Sequence, residues 1–110
     1  MCNRSEAMSI LKEAFERSAD VLPVSDAYLY GSYARGDYDG ESDVDIMLVT
    51  PLPSEAIWPR RRMISAIADD ISIRHDVTVS VCVRSQAQFR PESTPYYRNV
   101  VNDGIRYTGV

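Results

Sequence analysis

The stretch from Gly31 to Asp45 constrains the fold of this chain more than any other. It reads Gly-Ser-Tyr-Ala-Arg-Gly-Asp-Tyr-Asp-Gly-Glu-Ser-Asp-Val-Asp and lies between two largely apolar segments, residues 27–30 and 46–49. The pattern predicts a strand, a Gly-Ser turn that opens a short helix, a polar loop and a second strand. Because side chains alternate along a strand, Asp43 and Asp45 are expected to project from the same face.

The two aspartates predict a cation site. Like charges held close together repel, and a divalent cation between them relieves that repulsion. Mg²⁺ suits such oxygen ligands, since it takes one or two protein carboxylates and completes its shell with water and substrate phosphates. An Asp-x-Asp at a strand start is also common as a solvated edge or a loop cap, so the pair alone does not establish a metal site.

The Gly-Ser turn predicts a phosphate site beside the aspartates. Gly31 adopts backbone angles closed to other residues and lets a phosphate approach the main chain. Ser32 offers a hydroxyl and backbone N–H groups at a helix start, where anions are favoured. Arg35, one turn further on, is within reach of the same anion. A phosphate cradle facing a carboxylate pair is the minimum equipment for metal-assisted nucleotidyl transfer.

Gly31-Ser32, ten residues and then Asp43-x-Asp45 resemble the signature of the DNA polymerase β-like nucleotidyltransferase superfamily. The fuller pattern, Gly-Ser-x-Ala-Arg-Gly followed by Ser-Asp-x-Asp, is similar to its minimal nucleotidyltransferase (MntA-like) branch, small prokaryotic proteins often paired with a HEPN-domain partner. The resemblance implies that Asp43 and Asp45 are catalytic and hold Mg²⁺ or Mn²⁺. It also implies that Gly31, Ser32 and Arg35 bind ATP or another nucleoside triphosphate.

A strand predicted over residues 76–83 bears on catalysis. In the superfamily a third acid on this strand acts as the base, and the resemblance places Ser80 at its position. Asp76 is the only carboxylate on that face of the strand, but it lies four residues earlier, about 13 Å away at strand rise. Either the register differs and Asp76 is the third catalytic acid, or the third acid is absent. The sequence favours its absence, which would weaken general-base catalysis.

The rest of the chain predicts an α/β fold: a small mixed β-sheet of three or four strands with helices packed on one face, like a polymerase β-like nucleotidyltransferase core. Helices are expected over residues 5–20, with Ser5 as N-cap, from Ser54 onward with a start or kink at Pro59, and from the N-cap Thr94 to Gly104. A short strand is expected at residues 105–107. One apolar helix stripe is expected to contain Met63, Ile64, Ile67, Ala68 and Ile71. Tyr97 and Arg98 are candidate nucleotide contacts; the simpler interpretation is that the tyrosines of the last helix cover the core.

Length and composition predict one domain over residues 1–110. Charged residues make up 25 % of the chain and the net charge is −4, which argues against binding of duplex nucleic acid. No run approaches the roughly 18 apolar residues of a membrane span, and the first six residues do not read as a signal peptide. Cys2 and Cys82 fit neither a disulfide framework nor a zinc pattern, so a reducing cytoplasm is expected.

The expected function is Mg²⁺-dependent transfer of a nucleoside monophosphate, most simply AMP from ATP, to a protein or RNA acceptor. By resemblance the chain is the antitoxin partner of a HEPN-type toxin. The alternative is a weak or inactive nucleotidyltransferase-fold module that neutralises or assembles with a partner protein, which Ser80 favours. The sequence leaves homo-oligomer formation open.

Overall fold

One mixed sheet of four strands organises the protein, whose computed structural model describes residues 2–108. The strands are β1 (Asp26–Tyr30), β2 (Val44–Thr50), β3 (Val79–Ser85) and β4 (Ile105–Arg106), in the order β3-β2-β1-β4. β1 runs antiparallel to β2 and β4, while β2 and β3 are parallel. Every residue of β2 except Asp45 is buried, because this strand has a neighbour on each side and helices over both faces. The predicted small mixed sheet with β2 at its centre is confirmed.

Two long helices, α1 (Arg4–Ser18) and α4 (Arg61–His75), pack on one face of the sheet as expected. Their buried residues at helical spacing meet the strand residues that point to the same face; the shared core includes Ile10, Leu11, Ala14, Leu29, Ile46, Leu48, Ile64 and Ile71. Met63, expected in the apolar stripe of α4, is instead 58 % exposed. Pro59 lies in a 3₁₀ turn, Trp58–Arg60, between the short helix α3 (Ser54–Ile57) and α4, which agrees with the predicted helix start or kink.

A third layer, which the sequence did not indicate, covers the other face. α5 (Pro95–Asp103) places Val100 against Tyr28, Met47 and Val49. The helix begins as predicted, since the Thr94 hydroxyl accepts a hydrogen bond from the Tyr97 N–H at 3.1 Å, and it ends at Gly104. The apolar side chains on this face explain why it is covered.

The predicted starts of two elements are wrong. The N-cap of α1 is Asn3, not Ser5, and its Oδ1 accepts from the Glu6 N–H at 2.8 Å. The third strand begins at Val79, not at Asp76, because Asp76 adopts left-handed backbone angles (φ 53°) that end α4. Within residues 2–108 no helix is both long enough and apolar enough to cross a membrane.

Candidate nucleotide and metal site

Gly31 brings the two halves of the sequence motif into contact. It joins β1 to the short helix α2 (Ser32–Arg35), and its φ of 77° lies in the region that glycine alone enters readily. A Cβ at this position would lie 2.5 Å from Oδ2 of Asp45. The contact follows from the sheet register, which pairs Tyr30 with Asp45. The carboxylate of Asp45 therefore lies directly against the main chain of the Gly-Ser turn.

The electrostatics around Asp45 favour a cation. Burial raises the pKa of the Asp45 carboxyl, the negative charge of Asp43 raises it further, and Arg35 acts in the opposite direction. Burial and mutual repulsion both make two neighbouring carboxylate charges unfavourable here. A divalent cation would offset both the burial of the charge and the repulsion. The described residues contain no group of three or more His, Cys, Asp or Glu side chains arranged to hold a metal ion. Two carboxylates with water and phosphate oxygens completing the shell suit Mg²⁺.

Helix α2 presents the groups expected of a phosphate site. The Ala34 and Arg35 N–H groups both donate to the Gly31 C=O at 3.1 Å, so the N–H groups of Ser32 and Tyr33 are the ones that the helix start leaves for an anion. The guanidinium of Arg35 lies 3.3 Å from Asp37, with both side chains at least half exposed. An exposed ion pair is weak, so Arg35 is free to exchange Asp37 for a phosphate.

The parallel register of β2 and β3 pairs Asp45 with Ser80. Paired residues of neighbouring strands point to the same face, so the Ser80 side chain is the one that β3 places next to Asp45. Asp76 lies outside the strand, at the end of α4, and lines a surface pocket together with Glu41, Asp43 and Thr78. Asp76 thus shares a pocket with Asp43, whereas Asp45 does not line that pocket.

A recess next to Gly31 was not anticipated from the sequence. It is lined by Tyr30, Gly31, Arg35, Tyr96, Asn99, Val100 and Asp103. The hydroxyls of Tyr30 and Tyr96 lie 2.9 Å apart. The pKa of Tyr30 is raised mainly because the side chain is buried and, to a smaller extent, by this hydrogen bond. Tyr97, a candidate nucleotide contact in the sequence, instead packs against Phe89, and its hydroxyl accepts from Arg84 at 3.2 Å.

The sequence did contain a signal for this recess. Tyr96, Asn99 and Asp103 are spaced three and four residues apart, so they share one face of α5. Asn99 and Asp103 make that face polar, and the buried Val100 beside it supplies an apolar part of the recess lining. What the sequence lacked was the long-range contact with Tyr30 that aims the polar face at Gly31.

Comparison with known proteins agrees with this geometry. The nucleotidyltransferase domain family matches residues 8–107. A protein of Methanocaldococcus jannaschii named as a protein adenylyltransferase is 37 % identical over 78 residues, which cover 68 % of this chain and 76 % of that protein.

Two solved structures show the same fold. One, described as a nucleotidyltransferase from Sulfolobus solfataricus, has a TM-score of 0.65 at 24 % identity and covers 94 % of this chain and 81 % of that one. The other comes from a complex of the tri-AMPylated HEPN toxin of Shewanella oneidensis with an MNT antitoxin; its TM-score is 0.54 at 19 % identity, with 94 % and 73 % covered. The family match over residues 8–107, the adenylyltransferase-named relative and the shared mixed sheet lead to one conclusion: the chain belongs to the nucleotidyltransferase domain family.

Proposed function

We propose that this protein transfers AMP from ATP to a hydroxyl group of a partner protein, with Mg²⁺ as the metal and Mn²⁺ as its substitute. The observation that carries the proposal is the contact between the Gly31 main chain and the Asp45 carboxylate, with Asp43 close enough to raise the pKa of Asp45. A phosphate-binding turn and a cation-binding pair meet at one point, which is what transfer from a metal-bound triphosphate requires.

Each site residue has a distinct part. Asp43 and Asp45 hold the cation, the Ser32 hydroxyl and the turn N–H groups bind the triphosphate, and Arg35 neutralises part of its charge. The cation, when bound, polarises the α-phosphorus and stabilises charge on pyrophosphate. The acceptor oxygen forms a bond to the α-phosphorus as the bond to the bridging oxygen breaks; pyrophosphate leaves, and the acceptor proton passes to water.

A protein acceptor is favoured over RNA by three considerations. The relative from Methanocaldococcus jannaschii is named as a protein adenylyltransferase, and the neighbour from Shewanella oneidensis belongs to a complex with an AMPylated HEPN toxin. The net charge of −4 also disfavours a polyanionic acceptor. We therefore infer that a HEPN-type protein is both partner and acceptor, and that the pair acts in the cytoplasm.

A second candidate function rests on Ser80. Since Ser80 pairs with Asp45, a serine occupies the position at which the family resemblance places the base, and Asp76 lies off the strand. A chain that lacks this base would still bind Mg²⁺ and nucleotide but transfer AMP slowly, because a general base contributes typically about 10²–10⁴-fold. In that case the protein acts chiefly as a binding module that neutralises its partner.

Co-expression with a HEPN-domain partner, followed by intact-mass spectrometry, separates the two functions. Transfer predicts that the partner gains the mass of one or more adenylate groups, and that Asp43→Asn abolishes the gain. Asp20→Asn, which removes an exposed carboxylate after α1, is the matched control and should leave the gain unchanged. A stable complex with no mass gain in any version would contradict transfer and support the binding module.

A further inference from the structure

The outer side of β3 is an open sheet edge. β3 pairs along its whole length with β2, and within residues 2–108 no strand lies beyond it. At its two ends the Thr78 C=O accepts from the Val44 N–H and the Gln86 N–H donates to the Thr50 C=O, both at 2.8 Å. Even-numbered residues therefore direct their main-chain groups toward β2, and odd-numbered residues direct theirs outward.

Side chains of the protein itself bind the outward groups near both ends of this edge. The Val79 N–H donates to the Ser72 hydroxyl at 2.9 Å, and the Val83 C=O accepts from the Arg84 guanidinium at 2.9 Å. Val81 lies between them, with its N–H and C=O directed outward. Unpaired groups of this kind are a template for another strand, and proteins normally cover or blunt them.

A groove with a basic lining runs beside Val81. Its two halves share Arg61, Val83 and Arg84 as lining residues. Val81 lines one half, Trp58 lines the other, and no acidic residue lines either. Trp58 is 70 % exposed, and the Arg61 guanidinium lies 5.0 Å from the centre of its ring. The chain has a net charge of −4, but the two arginines make this groove locally positive.

We propose that this groove binds an extended, acidic segment of a partner protein, which adds a fifth strand to the sheet at β3. The main chain of the segment bonds to the N–H and C=O of Val81, as in strand addition to other exposed edges. Its carboxylates pair with Arg61 and Arg84, and an apolar side chain packs on Trp58. The proposal concerns a surface outside the nucleotide site and does not depend on AMP transfer.

Charge argues against a second copy of the chain as the occupant. In a symmetric pairing of two β3 edges the same surface meets itself. Arg61 and Arg84 of one copy would then lie near the same arginines of the other, and like charges across a strand pair are destabilising. An acidic segment of a different protein meets no such repulsion.

A synthetic peptide tests the proposal directly. The probe is a capped heptapeptide of alternating valine and glutamate, compared with one of valine and lysine, and the signal is the fluorescence of Trp58, the single tryptophan of the chain. We expect saturable binding of the glutamate peptide, and binding of the lysine peptide weaker by about tenfold or more. Saturable binding of neither peptide up to millimolar concentration, or equal binding of both, would overturn the proposal.

Matched variants locate the site. Val81→Pro removes the outward N–H at an edge position where proline is tolerated, and it should weaken binding about tenfold, the scale of one lost hydrogen bond. Arg61→Glu should do the same, whereas Arg62→Glu, with the same change of charge on an exposed residue that does not line the groove, should not. If Val81→Pro fails to fold, a glutamate peptide methylated on its alternate main-chain nitrogens gives the same test on the native protein. Undiminished binding in these tests, or self-association that Val81→Pro removes, would overturn the acidic-segment proposal.

Discussion

At the scale of single residues, Asp45 is the centre of the candidate site. Its carboxylate lies against Gly31, is close to Asp43 and Arg35, and is paired through the sheet with Ser80. Burial and the neighbouring charge of Asp43 raise its pKa. A carboxyl whose pKa is higher in the folded than in the unfolded state destabilises the fold when it is ionised.

This pKa shift gives a first prediction. Without metal at neutral pH, Asp45→Asn should melt at a higher temperature than the wild type, because the variant no longer buries a charge. The advantage should disappear as the pH falls through the folded-state and then the unfolded-state pKa of Asp45, since the wild-type carboxyl then becomes neutral too. Thermal denaturation against pH measures this. Asp20→Asn, an exposed residue after α1, should show no such advantage, and a lower melting temperature for Asp45→Asn at neutral pH would contradict the electrostatic argument.

The two glycines that flank α2 allow a matched comparison. Gly31 and Gly36 both have positive φ, 77° and 93°, so alanine at either position should destabilise the protein by roughly 1 kcal/mol or more. A Cβ at Gly31 would meet the Asp45 carboxylate at 2.5 Å, whereas one at Gly36 meets only the end of the Arg4 side chain at 3.2 Å. Only Gly31→Ala should therefore also reduce Mg²⁺-ATP affinity, by about tenfold or more. Urea denaturation and calorimetry measure the two effects, and equal loss of affinity in both variants would be evidence against the close contact.

Ser80 gives a prediction of gained activity. Ser80→Asp places a third carboxylate beside Asp45 at an exposed position. If the site lacks only a general base, this variant should accelerate AMP transfer to the partner by about 10²-fold or more. Ser80→Asn has a similar shape without the charge and should give no gain. The rate of adenylate incorporation measures both, and equal rates in the two variants would show that a missing carboxylate does not limit the reaction.

At the scale of elements, the four-residue helix α2 depends on α1 for its position. The Arg4 guanidinium donates to the Tyr33 C=O at 3.0 Å and also to the Ala34 C=O. These two carbonyl groups have no partner within so short a helix, and the Arg4 side chain supplies one.

Arg4→Met should therefore reduce the free energy of unfolding by about 1–2 kcal/mol, the scale of two side-chain to main-chain hydrogen bonds. It should also weaken nucleotide binding, because α2 carries Ser32 and Arg35. Lys12→Met removes the same charge from an exposed position of α1 and should change neither quantity. Denaturation and nucleotide titration of both variants check this, and unchanged nucleotide affinity in Arg4→Met would show that α2 holds its place without α1.

The elements differ in how far the sequence predicts them, for physical reasons. β1, α2 and β2 are predictable because the Gly-Ser turn and the apolar flanks determine them locally. The start of β3 was predicted three residues too early because Asp76 fits both an alternating strand and a helix end, and only the folded chain decides between them. The layer formed by α5 and the contact of Tyr96 with Tyr30 depend on residues 66 positions apart, which no local pattern reveals.

At the scale of the whole molecule, the candidate nucleotide site and the open edge are neighbours. Ser80 is paired with Asp45 at the start of β3. The next residue, Val81, directs its main-chain N–H and C=O groups away from the sheet. A partner segment seated on the edge would thus begin beside the carboxylate pair, where the proposed transfer requires the acceptor hydroxyl. Helices cover both faces of the sheet, and two ion pairs join α1 to α4: Arg17 with Asp70 and Arg74 with Glu13.

Titration calorimetry of ATP with Mg²⁺ tests most directly whether the turn and the two aspartates form a nucleotide site. The wild type should bind ATP in a saturable manner that requires the metal, Asp45→Asn should not bind, and Asp20→Asn should bind like the wild type. Absence of binding for every nucleoside triphosphate with both Mg²⁺ and Mn²⁺, or equal binding by Asp45→Asn, would contradict the site assigned to Gly31, Ser32, Asp43 and Asp45.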